Sequence, residues 1–187
     1  MAINKNNFWT FTWRITATHT IAYFVAGIFA LLVLRYDQIF GVGSLSFMRL
    51  TNSSWVAAGP GLQIIRGFLL AFFLFPFRTI FFETKNGWIK FWFLSFGLSY
   101  LLTISAATGS FEGLIYTNIP VKYHLIGIPE IMLYMTLFTV FMWGWYKRPM
   151  KIFTVLSIIL VSLIALMSFM GVIASLGIIE KPKILVQ

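Results

Sequence analysis

Apolar residues fill this chain in long runs separated by short polar segments. Several runs reach the roughly 20 residues that a helix needs to cross a bilayer. They predict an all-α integral membrane protein, a single transmembrane domain with helices over 8–34, 56–77, 88–108, 127–146 and 152–179 and two longer loops.

Polar residues inside the runs carry the next layer of information. The first helix opens on Phe8-Trp-Thr-Phe-Thr-Trp13, an aromatic anchor, and Arg14 reaches headgroups. Thr12, Thr16, His19, Thr20 and Tyr23 share a face, beside a stripe of Thr18, Ala22, Ala26 and Ala30 that suits close helix approach. His19 reads first as a hydrogen-bonded packing residue. In the second helix Pro60 fits a first helical position, where no N–H is needed. Arg66 follows six residues on, about 9 Å along the axis. Gln63, Arg66, Gly67, Leu70 and Leu74 fall on one face. An arginine in a span either snorkels to the headgroups or faces the bundle interior against a carboxylate or an anionic group.

The third helix carries Ser95, Ser99 and Thr103 at four-residue spacing, a seam for helix packing. The segment from Gly109 to Glu130 is apolar for a loop, punctuated by Gly and Pro, and contains Glu112, Tyr116 and His124. Irregular backbone at membrane depth survives only under protein or beside water, so this segment is a candidate lid or re-entrant element. Pro129-Glu130 is an ordinary helix start, with the carboxylate favoured by the dipole. On the last helix Ser157, Ala165, Ser168, Gly171 and Ser175 mark the packed side. Thr51-Asn52 and Thr117-Asn118 each precede a proline-started helix, a likeness too short to mark duplication.

Composition agrees with the spans: 59% of residues are hydrophobic and 10% charged, too few charges to cover a soluble protein. The net charge of +9 would suggest nucleic acid in a soluble chain. Here the Lys and Arg lie between apolar runs, which makes anionic lipid headgroups the partners and leaves no nucleic-acid role. Without cysteine there is no disulfide, thiolate ligand or thiol nucleophile. The first apolar run is too long for a signal h-region and is taken as the first span.

Five spans put the termini on opposite sides. With the N-terminus inside, Lys5, Arg14, Arg78, Lys85, Lys90, Lys147, Arg148 and Lys151 are inner and Arg35, Arg49, Lys122, Lys181 and Lys183 outer, the bias the positive-inside rule requires. Six of the seven tryptophans then share the inner interface, and Trp55 stands at the outer one. The host membrane is expected to be a bacterial cytoplasmic membrane. The topology gathers Gln63, Arg66, Glu112, Tyr116, His124 and Glu130 on the outer side, with Glu112 or Glu130 as counter-charge to Arg66.

These residues point to binding or translocation of a lipid or small amphipathic anion at an outward pocket around Arg66. Five spans are few for a transporter, so a homodimer or larger complex is expected. A non-catalytic subunit of a larger assembly is the alternative, since small-residue stripes suit docking. Third comes a membrane-embedded enzyme on a lipid-linked substrate. No H-E-x-x-H, G-x-S-x-G or phosphate-binding glycine loop is present, so no catalytic residue, metal ligand or cofactor is assigned.

Overall fold

The computed structural model describes residues 7–178. Lys5, Ile179, Lys181 and Lys183, which entered the expectations above, lie outside them. The described residues form helices α1 (Phe8–Leu32), α2 (Tyr36–Ile39), α3 (Ser54–Leu74), α4 (Gly87–Phe96), α5 (Phe111–Tyr116), α6 (Val121–Ile126), α7 (Ile128–Lys147) and α8 (Lys151–Ser175), with no strand among them. Four helical stretches, Phe8–Leu32, Ser54–Phe77, Val121–Lys147 and Lys151–Ser175, are long and apolar enough to cross a membrane. The chain is a multi-pass helical membrane protein.

The expected third helix is where the structure departs most. Helix α4 has ten residues and a π-helical turn, Gly97–Leu101, adds five. Together they reach about 22 Å at 1.5 Å per residue, short of the roughly 30 Å hydrocarbon core. Helix does not continue to 108 because hydroxyls beyond Leu101 take up local partners. Thr103 and Ser105 approach each other at 3.4 Å, and Ser110 Oγ donates to the carbonyls of Ser105 and Ala107. Such bonds compete with the helical ladder. Gly109 then turns at φ +92°, its α-carbon pressed against the Tyr100 ring, where no Cβ fits. No hydrogen bond joins Ser95, Ser99 or Thr103 to another helix among the described residues; Trp92 Nε1 donates to Thr136 Oγ1 instead, at 3.1 Å.

Helix α1 is the central post. Helices α3, α7 and α8 pack on it, and α4 packs on α7. Successive long elements alternate in direction. Phe8 meets Phe75, and Trp88 meets Trp143, at one end of the bundle. Tyr36 meets Glu130, and Tyr100 meets the His124 carbonyl, at the other. We call these the tryptophan end and the loop end. Helix α8 runs parallel to α1, with Ser157 beside Trp13 and Ser168 beside Gly61.

Pro60 does not start a helix. Ser53 caps α3 by accepting from the Val56 N–H, so the helix begins six residues before the proline. A proline inside a helix disturbs the carbonyl one turn back, and here Ser168 of α8 repairs the ladder. Its hydroxyl accepts from Gly61 N–H at 3.2 Å and donates to the Ala57 carbonyl at 2.7 Å, the pair an uninterrupted helix joins directly. Neighbouring serines commonly make proline tolerable in membrane helices in this way. The paired Thr-Asn likeness therefore has no structural counterpart at Pro60.

Candidate functional site

Helix α1 turns His19 towards α3 and α7, and the imidazole is fully buried between them. Gln63 Nε2 donates to the Gly59 carbonyl at 3.3 Å, which turns its Oε1 to His19 Nε2 at 3.1 Å. His19 Nε2 is therefore the donor, and Nδ1 accepts from the Tyr134 hydroxyl at 2.6 Å. Tyr23, one turn along α1, stands 6.2 Å from His19 and 6.4 Å from Tyr134, ring centre to ring centre. A polar column of Gln63, His19, Tyr134 and Tyr23 thus runs between three apolar helices.

Glu130 continues this column at the loop end, four residues before Tyr134 on α7. Its carboxylate is half-buried and accepts from the Tyr36 hydroxyl at 2.6 Å. Tyr36 lies in α2, just past the end of α1. Burial, and then the bond to Glu130, push the Tyr36 phenol above its ordinary value, so it remains a donor at neutral pH. Glu130 and Tyr36 line two cavities at once. The larger, about 480 Å³, is walled by Tyr23, Phe24, Phe40 and Trp55; the smaller, about 230 Å³, by Phe40, Tyr100 and Tyr123. The larger volume lies at the scale of ligand pockets, and both walls are mostly apolar with aromatic rings among them.

The residues expected around one pocket divide into three groups. Gln63 and Glu130 belong to the column. Arg66 lies within electrostatic reach of His19, Tyr23 and Tyr134 but is exposed at the side of the bundle. Because α3 starts at Ser54, Arg66 is about 18 Å into the helix, near mid-span rather than near its end. It pairs with neither Glu112 nor Glu130; the only ion pair among the described residues is Arg35–Asp37 on the surface, at 3.1 Å. The expected counter-charge is absent because both carboxylates face elsewhere.

Glu112, Tyr116 and His124 form the third group and line neither cavity. Ser110 caps α5 by accepting from Gly113 N–H, which places Glu112 in the first turn of a short surface helix and leaves Tyr116 mostly exposed. His124 is buried and pins the loop: its Nδ1 accepts from Gly109 N–H at 3.0 Å, and its carbonyl accepts from Tyr100. Among the described residues no three His, Asp or Glu side chains converge as metal ligands would.

Sequence reasoning passed over Tyr36, Tyr134 and Trp55 as site residues. Tyr134 carried a usable signal, since it stands one helical turn from Glu130. Tyr36 carried none: it lies in the connection after the first span, ninety-four positions from its partner. No protein-family model matches the chain, and no curated protein or solved structure matches it either.

Proposed function

We propose that the protein binds an amphipathic ligand at the loop end, with the polar head on Glu130 and Tyr36 and the apolar part along the aromatic walls. The reading rests on one observation: a half-buried carboxylate, held by a tyrosine, is shared by two mostly apolar cavities whose walls include aromatic rings. A carboxylate accepts, so the head it suits is a donor, above all an ammonium group, which aromatic faces also favour. That reverses the charge expected from Arg66. In this reading α4 with its π-turn counts as a short fifth pass, since it runs antiparallel to α7 from Trp143 towards Glu130. The distribution of lysines and arginines supports an N-terminus inside and cavities on the outer side in this reading. The same cavities would serve transport if the ligand crosses.

A second reading, a subunit of a homodimer or larger membrane complex, is favoured by Arg66. A mid-span arginine on an exposed helix face costs about 2.5–3.5 kcal/mol on insertion scales, and a partner helix bearing a carboxylate would offset that. Native mass spectrometry of the purified protein separates the readings, comparing wild type, Glu130→Gln and Arg66→Leu. A bound small-molecule mass lost in Glu130→Gln is the expected result. Loss only in Arg66→Leu would return the ligand to an anion at the arginine. No retained ligand, with a dimer that Arg66→Leu dissociates, would replace the first reading by the second.

A further inference from the structure

A third cavity lies at the opposite end of the bundle and shares no residue with the first two. It measures about 300 Å³ and opens sideways between α1, α7 and α8. Ile21, Val140, Phe141, Phe153, Leu156 and Leu160 line it, and several of these are exposed to the lipid side. Two features make it more than a gap between helices. Trp145, another wall, is buried, and its indole N–H has no acceptor among the described residues. Buried donors without partners are rare, because each forfeits a hydrogen bond it would make in water. Gly144, also in the wall, has nothing within 4 Å of where a Cβ would stand, so its face opens onto free space.

The turn beside this cavity is basic, and the carboxylate of this end, Glu83, is taken up by the Tyr146 hydroxyl at 2.7 Å. The turn joining α7 to α8 carries Lys147, Arg148 and Lys151, all exposed. It is bracketed by two cavity walls, Trp145 two residues before Lys147 and Phe153 two residues after Lys151. Arg14, buried on α1, places its guanidinium 5.8 Å from the Trp145 ring and has no ion pair among the described residues. An apolar slot ending at an unpartnered N–H and a cluster of cations is complementary to a molecule with an apolar chain, a carbonyl acceptor at its root and an anionic head.

We propose that this cavity is a binding site for one anionic phospholipid of the leaflet on the tryptophan end. An acyl chain fills the slot, an ester carbonyl accepts from Trp145 Nε1, and the phosphate sits on Lys147, Arg148 and Lys151. Basic residues beside a span attract anionic headgroups in general; the slot makes this a site for a single lipid. It is independent of the loop-end ligand.

The test is native mass spectrometry of the full chain in detergent, titrated with phosphatidylglycerol or with phosphatidylcholine of the same acyl chains. Three variants are compared with wild type: Gly144→Leu, which fills the slot; the triple variant Lys147→Gln, Arg148→Gln, Lys151→Gln, which touches no packed side chain; and Glu130→Gln as a control at the other end. Wild type should retain one phosphatidylglycerol at about tenfold lower concentration than phosphatidylcholine. Both Gly144→Leu and the triple variant should abolish that preference while Glu130→Gln keeps it. Equal retention of the two lipids by wild type overturns the site. So does loss in the triple variant alone, which would reduce it to a headgroup contact outside the slot. Failure of Gly144→Leu to fold, read by circular dichroism, is met by Gly144→Val with the same expectation.

Discussion

Helices α1 and α8 have the same length, twenty-five residues, and opposite characters. Half of α1's span is buried in the protein, against 22% of α8's. Yet α1 is the more polar: Thr12, Thr16, Thr18, His19 and Thr20 are all inside, while α8 turns Leu163, Leu166, Phe169 and Met170 to the surface. In water the assignment would be reversed. Lipid tails are as apolar as leucine, so burying leucine against another helix gains little there, and close backbone approach and hydrogen bonds decide which helix goes to the centre. The small and hydroxyl-bearing helix is the post, and the most apolar helix is cladding.

Gly67 is the sharpest place to break that comparison. A Cβ there would stand 2.7 Å from the Thr16 Cα of α1, so Gly67→Leu should force α3 off the post. We expect the largest loss, about 3 kcal/mol from overpacking, as a drop in unfolding midpoint on titration with sodium dodecyl sulfate. Ile15→Ala comes next. Ile15 is fully buried on α1, and the cavity left by its truncation should cost about 2 kcal/mol. The low end of the range applies because lipid removes much of the transfer term.

Hydrogen bonds should register below packing. His19→Leu removes the two bonds that join α1 to Gln63 and Tyr134. Interhelical bonds in membranes average about 0.6 kcal/mol with a maximum near 1.7, so a loss of about 1 kcal/mol is expected. His19→Gln should recover part of it, and an unchanged midpoint in His19→Leu would show that the column contributes nothing to stability. Ser168→Ala removes the hydroxyl that bridges Gly61 N–H and the Ala57 carbonyl. Its effect, about 0.6 kcal/mol, should be accompanied by faster hydrogen exchange at Gly61.

These contacts also show what the sequence could and could not reveal. The ends of α1, α7 and α8 lie within four residues of the expected 8–34, 127–146 and 152–179, because a lipid-exposed backbone must satisfy itself and helix length follows from apolar length. Arg66 was placed about 9 Å from the helix start, in its outer half, by taking Pro60 as a first-turn proline. The residue that admits Pro60 to the interior is Ser168, over a hundred positions away, and no local pattern encodes it. The stop at Leu101 was hidden for a related reason. Hydroxyl-rich apolar sequence such as Leu102–Thr108 reads alike in a span and in the exposed loop it forms here. At the site, Gln63 and Glu130 were legible as polar residues in apolar helices. Their partners were not, because His19 meets Tyr134 across one hundred and fifteen positions. Glu112 drew notice through the scarcity of acids, and scarcity carries no information about direction.

Leu166 supplies the smallest effect and the strictest control on the comparison. It lies in the middle of α8 and is 57% exposed on a face that no other helix covers. If α8 is cladding, Leu166→Ala exchanges protein–lipid contact for lipid–lipid contact and leaves no cavity, because acyl chains flow into the space. The expected change in the unfolding midpoint then corresponds to less than about 0.5 kcal/mol. A loss comparable with that of Ile15→Ala would mean that a partner helix covers this face in the assembled protein. Repeating the measurement at tenfold lower protein concentration distinguishes the two, since a stabilising partner makes the midpoint depend on concentration and lipid does not.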